Sequence, residues 1–252
     1  MEYEGQICRP PMERSSYMLP VAVGCSYNRC TFCTLFKHLR YRPLPIEQVE
    51  QELKRVSAAG GNPVQIFLGD GNALGMETDH LLHILELIHR YFPGCRMVNM
   101  DATVTNISQK SDEELRLLYD QGVRRLYLGI ESGLDDVLSF TKKDHNLQQA
   151  YCQIERMKNA GMIFNAHIMT GIAGAGRGTE NAQQTALFFN RTQPERIINF
   201  SLFLNRRAPL FRDYQAGRFT PASELENLIE DRLLVSLLQV PGLHYDGMHD
   251  ML

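Results

Sequence analysis

The chain has 252 residues, 44% of them apolar and 22% charged, with a formal net charge of −3 at pH 7. That length supports one sizeable core, the charge balance argues against a general nucleic-acid surface, and no apolar stretch approaches the roughly 20 residues of a membrane span. Twenty arginines stand against six lysines, an excess that suits planar recognition of carboxylate or phosphate but that codon usage produces equally well.

In chain order, residues 1–18 read as an irregular leader without the apolar core of a signal peptide, so the expected compartment is the cytoplasm. Leu19–Gly24 reads as a strand. Ile46–Ala59 reads as a helix with Ile46, Val49, Leu53 and Val56 at helical spacing. Val64–Leu68 is a second buried strand, and Thr78–Tyr91 a helix that Thr78 is expected to cap. Strand Arg96–Met100 precedes helix Asp112–Gln121, for which Ser111 is the expected cap. Strands at Arg125–Ile130, Ile163–Thr170 and Arg196–Leu204 alternate with helices at Leu147–Ala160, Thr179–Asn190 and Ala222–Val240. Glycines at Gly60, Gly61, Gly122 and Gly161 fall where helices end. Residues 241–252 read as a solvated tail.

Six strand–helix units in strict alternation predict a parallel sheet covered by helices, either an open doubly wound sheet or a curved barrel. No repeat or linker divides them, so residues 1–252 read as one domain. In either topology the loops after the strands form the functional face.

Cys25, Cys30 and Cys33 lie within nine residues of one another, just after the first strand. Reduced cytosolic thiols at this density point to a soft metal centre rather than disulfides. A structural zinc site needs four protein ligands, and His38 is the nearest candidate for a fourth. A four-iron cluster held by three cysteines keeps one iron open. Cys95 and Cys152 read as core thiols; Cys8 sits in irregular chain.

Other strand ends carry polar residues. Gly69-Asp70-Gly71 allows close backbone approach and offers an ammonium acceptor, but equally spells an ordinary turn. Period two puts Tyr127, Gly129 and Glu131 on one face, where a buried carboxylate needs a partner, a ligand or a nearby arginine. Asn165, His167, Met169 and Gly171 share a face of the fifth strand, with His167 read as a substrate contact or a core histidine. The loop from Ala173 to Gly178 imitates a phosphate loop without its Lys-Ser/Thr ending. Asn99, Asp101 and Asn199 are candidates to face a ligand, and Arg206 and Arg207 follow the sixth strand.

Together these motifs resemble the radical S-adenosylmethionine (SAM) superfamily over nearly the whole chain, in particular the group of the anaerobic coproporphyrinogen oxidases and the Elongator catalytic subunit. The resemblance implies an α/β fold, a partial (β/α)6 TIM-like barrel of parallel strands. It implies a 4Fe-4S cluster on Cys25, Cys30 and Cys33, with SAM on the open iron, although four residues separate Cys25 from Cys30 where the family usually has three. It further implies cofactor contacts from Phe32, Gly69, Asp70, Gly71, Glu131, Ser132, Met169 and Gly171. The activity implied is reductive cleavage of SAM to a 5'-deoxyadenosyl radical, fed by an external donor such as flavodoxin or ferredoxin. His167, Asp101 and Arg207 are the candidates for acid, base or substrate contacts. An electron-transfer iron–sulfur protein and a zinc-stabilised binding protein are the alternatives.

Overall fold

Strand β1, Tyr17–Gly24, buries its last six residues, and β3, Gln65–Gly71, does the same. Such unbroken burial requires cover on both faces, the mark of a parallel sheet. In this computed structural model, which describes residues 8–248, the elements run in order β1, β2 (Arg42–Pro43), α1 (Ile46–Ala58), β3, α2 (Thr78–Tyr91), β4 (Met97–Ala102), α3 (Val104–Ser108) and α4 (Asp112–Asp120). Then follow β5 (Val123–Glu131), α5 (Asp135–Phe140), α6 (Leu147–Asn159), β6 (Ile163–Thr170), α7 (Gly178–Thr192), β7 (Arg196–Ser201), α8 (Leu210–Gln215), α9 (Glu224–Leu237) and β8 (His244–Met248). The strand order is β2-β1-β3-β4-β5-β6-β7-β8.

Two compact units divide the chain. The first holds the chain up to Asn28, Leu35–Tyr127 and Arg156–Ile163; the second holds Arg29–Thr34, Leu128–Glu155 and the chain from Phe164 onward. In the first, β3 lies parallel to β1 and β4, while the two-residue β2 pairs antiparallel with β1. Leu81, Leu85 and Ile88 of α2 are completely buried, each contributing about 1.5–3 kcal/mol from apolar burial. In the second, β7 lies parallel to both β6 and β8.

All six expected strands are present. Ser111 caps α4 in a capping box with Glu114, as its position predicts. Thr78 does not cap α2: it is the first helical residue, and its hydroxyl instead donates to Glu114 Oε1 at 2.5 Å. Cys95 is buried, but Cys152 is exposed on α6 rather than packed in a core.

Both chain ends depart from the sequence expectation. The leader contains a 3-10 turn at Pro11–Glu13, and Glu13 is almost fully buried. Its carboxylate accepts from Asn99 Nδ2 at 2.8 Å, Tyr127 Oη at 2.7 Å, Gln65 Nε2 at 2.9 Å and the Ser16 hydroxyl. Asn99 is therefore turned to this structural carboxylate and not to a ligand. At the other end, His244–Met248 is strand β8 rather than solvated tail. Arg196 of β7 pairs with Asp246, and Asn199 Nδ2 donates to Tyr245 Oη and to Asp231 Oδ1, both at 2.8 Å. Asn199 thus stitches β7 to β8 and α9 instead of lining a cavity. His249 and Asp250, at the end of that expected tail, lie outside the described residues.

Candidate active site

Four strands end in left-handed turns. Gly24 at the end of β1 has φ +78°, Asp70 near the end of β3 +67°, Glu131 at the end of β5 +66° and Gly171 after β6 +81°. For glycine this costs little, but for Asp70 and Glu131 it stores about 1–3 kcal/mol each, strain that concentrates at functional sites. These turns carry the motifs identified in the sequence.

In the first unit, Cys25 opens the loop after β1. A Cβ on residue 71 would lie 2.0 Å from the Gly24 carbonyl oxygen, so only glycine lets the Gly69-Asp70-Gly71 segment lie against the backbone entering the cysteine loop. The next residue is clamped. Ser26 N donates to Asn72 Oδ1 at 2.8 Å, and the Ser26 hydroxyl accepts from Asn72 Nδ2 at 2.9 Å and Asn106 Nδ2 at 3.2 Å. Asn72 and Asn106 are buried and bonded to each other at 2.6 Å, so the clamp is rigid. Tyr41 lies nearby; burial, with Cys25 and Glu77 adding to it, pushes its phenol well above the ordinary tyrosine range. Asp70 is buried and Asp101 partly buried.

In the second unit, Phe32 packs against Leu134, Val137 and Ile172 beside Met169. Two residues earlier in the loop, Cys30 stands near a buried ionic cluster. Lys143 Nζ binds Glu131 Oε1 at 2.9 Å, both side chains at most 9% exposed. Asp144 lies 3.9 Å from the same ammonium and contacts His145 Nδ1 at 3.1 Å. Burial pushes the Cys30 thiol up to about 11, against the pull of Lys143. Burial alone would lower Lys143, but Glu131, Cys30 and Asp144 together hold its ammonium above the ordinary lysine value. A Cβ on Gly129 would fall 2.3 Å from Glu131 Oε1 and 2.7 Å from Lys143 Nζ, so this glycine makes the space the pair occupies.

Glu131 therefore has the ionic partner its burial demands, a lysine rather than an arginine. Lys143 has no motif of its own in the sequence; the signal for it was Gly129, the small residue two positions before a buried carboxylate. Ser132 is completely buried, and its hydroxyl donates to Asn181 Oδ1 at 2.5 Å while accepting from Leu134 N. His167 stacks on Phe200 with ring centroids 5.7 Å apart. Arg207 is exposed, and its backbone amide binds Asn205. In the loop that imitates a phosphate cradle, Gly176 N donates to Glu226 at 2.7 Å and Ala175 N to the Thr220 carbonyl at 2.8 Å. Those amides are committed to α9 and the chain before it.

None of the six cysteines forms a disulfide, and Cys25, Cys30 and Cys33 are all partly accessible, a soft donor set suited to iron and sulfide. Among the described residues no three His, Cys, Asp or Glu side chains converge on a single ion. Among the same residues no helix is long and apolar enough to cross a membrane.

Several known proteins are similar to this chain in sequence or fold. The heme chaperone HemW of Bacillus subtilis is 24% identical over 223 residues, covering 85% of this chain and 58% of that protein. A tRNA uridine(34) acetyltransferase of Methanocaldococcus infernus is 21% identical over 117 residues, 46% of this chain and 22% of that protein. The chain thus spans little more than half the length of the first relative and less of the second. Among solved structures, coproporphyrinogen III oxidase (HemN) from Escherichia coli superposes with TM-score 0.66 at 14% identity, covering 88% of this chain and 52% of that one. Elp3 of Methanocaldococcus infernus gives TM-score 0.60 at 14% identity, covering 93% and 57%. The fold is the α/β partial barrel expected from the sequence, extended from six to eight strands by β2 and β8. Residues 19–181 match the model of the Radical SAM superfamily, and the chain belongs to that superfamily of enzymes, which use a 4Fe-4S cluster and SAM.

Proposed function

We propose that this chain holds a 4Fe-4S cluster on Cys25, Cys30 and Cys33, binds SAM beside it, and uses the products of SAM cleavage to take hydrogen from a substrate. Cys25, Cys30 and Cys33 would hold the cluster, which when bound would supply the single electron for reductive cleavage of SAM to methionine and a 5'-deoxyadenosyl radical able to take a substrate hydrogen atom. The electron comes from an external one-electron donor of the flavodoxin or ferredoxin class, in the cytoplasm.

The observation that carries this reading is that each part of the cysteine loop lies against a segment expected to bind SAM. On the Cys25 side, Gly24 packs on Gly71 at a distance only glycine permits. On the Cys30 side, Phe32 shares a cluster with Met169, and Cys30 feels the charges of Lys143 and Glu131. The residues' own work is binding and orientation. Gly69, Asp70 and Gly71 offer backbone and carboxylate acceptors to the methionyl ammonium. Glu131, held by Lys143, and Ser132 would contact the SAM ribose or carboxylate, and Met169 and Gly171 the adenine. Ser132 fixes the turn after β5 from within. Asp101, His167 and Arg207 are candidates for the substrate side. Strand β5 is shared by both units, which supports treating the chain as one radical SAM core domain.

The test is anaerobic reconstitution with iron and sulfide followed by SAM and dithionite. The expected products are 5'-deoxyadenosine and methionine. A fully loaded cluster that yields neither would overturn the proposal in favour of an electron carrier.

A further inference from the structure

Helix α9 reaches two of these strand ends through a single buried carboxylate. Glu230 is 3% exposed. Its Oε2 accepts from Gly171 N at 3.1 Å, in the left-handed turn after β6, and its Oε1 accepts from Asn181 Nδ2 at 2.7 Å. Asn181 in turn accepts the Ser132 hydroxyl, in the turn after β5, at 2.5 Å. One carboxylate therefore ties Met169-Thr170-Gly171 to Glu131-Ser132. Glu230, Asn181, Thr170, Met169 and Glu131 line the same small cavity. A buried carboxylate whose hydrogen bonds come from two neutral donors, with no cation in the described ion pairs, is costly to keep, and apolar packing would have been cheaper if stability alone were served.

We propose that Glu230 is a positioning residue for the SAM site, the strut that sets the β5 and β6 turns relative to each other. This rests on the assignment of Glu131, Met169 and Gly171 to SAM binding. The strut works as a carboxylate, because two acceptor oxygens are needed for two N–H donors; the neutral acid gives up one of them. Burial pushes Glu230 up to about 7, the hydrogen bonds from Asn181 and Gly171 pulling back and Asp231 adding to the rise. The other charged or titratable groups around it are Tyr245, bonded to Asp231, and Glu131, which lines the same cavity and is paired with Lys143. Protonation below neutrality thus loosens the strut.

The experiment compares reconstituted wild type with the nearly isosteric Glu230→Gln and with Asn181→Ala, measuring SAM dissociation constants from pH 6 to 8.5, melting temperature, and amide exchange of the 132–134 and 171–174 segments. Wild type is expected to bind SAM several-fold more weakly at pH 6 than at pH 8. Glu230→Gln should bind about tenfold more weakly at pH 8, with a flat pH profile, faster exchange in both segments and no fall in melting temperature. Asn181→Ala should speed exchange in 132–134 alone. A Glu230→Gln protein with wild-type affinity, pH profile and exchange overturns the strut. Wild type that binds no SAM at any pH overturns the SAM assignment instead, and the exchange pattern then decides the strut separately.

Discussion

Replacing Lys143 with Met removes a cation from a site that is closed to water and leaves Glu131 behind. The ammonium and carboxylate are 2.9 Å apart and each is at most 9% exposed. At an effective dielectric of about 20 that separation corresponds to about 6 kcal/mol of gross attraction, most of it offset by the desolvation of both groups. The measurable quantity is the penalty for the carboxylate left unpaired, about 3–5 kcal/mol. Met conserves most of the volume, so packing contributes little. Because Lys143 is held above its ordinary value of 10.5, its stabilisation is complete below that pH and is lost only as the pH rises beyond it. Lys143's own contribution in the wild type should therefore be constant from pH 6 to 9. Urea unfolding of the cluster-free protein, followed by far-UV circular dichroism since the chain has no tryptophan, gives the number. The double variant with Glu131→Gln should recover at least half of it, because the stranded charge is gone. A loss below about 1 kcal/mol for Lys143→Met, or no recovery in the double variant, would refute the picture of a buried, mutually dependent pair.

Gly71→Ala would drive a methyl into the Gly24 carbonyl, 2.0 Å away; overpacking against backbone should cost about 1–3 kcal/mol and lower iron incorporation at Cys25, read by iron and sulfide content. Cys30→Ala should abolish both the brown cluster absorption and SAM cleavage, and retained cleavage would show that Cys30 is not a ligand. Glu13→Ala strands Asn99, Tyr127 and Gln65 side chains in the interior and should lower unfolding free energy by at least 2 kcal/mol. Glu230, with a folded value near 7 against an ordinary 4.5, stabilises fully only below 4.5, and that contribution fades as the pH rises through 7. Relative to Glu230→Gln, wild type should lose up to about 3 kcal/mol across that window, measured as the difference in unfolding free energy at pH 4.5 and 8.

Local rules carried much of the fold. Buried runs such as Leu19–Gly24, helical spacing in Ile46–Val56 and the Ser111–Glu114 cap each depend on neighbours within one or two turns, so they are legible without knowing what packs against them. The cysteine loop, Gly69-Asp70-Gly71 and Glu131 stand out as candidates for the same reason: their residue types are set close together at strand ends. Short elements were not, since α3, α5 and α8 have too few residues to show a period. The capping role assigned to Thr78 failed because its hydroxyl found Glu114, 36 positions away.

What only the tertiary structure decided is where long-range polar partners meet. Glu13 joins β3, β4 and β5 from a leader that has no periodicity. Asp246 and Tyr245 turn an apparent tail into β8 because Arg196 and Asn199 are waiting for them. Lys143 and Glu230 are ordinary charged residues in the sequence, 12 and 99 positions from Glu131. Their importance arises because burial removes water, and a carboxylate without water must be answered by whichever donor the fold brings within hydrogen-bonding reach.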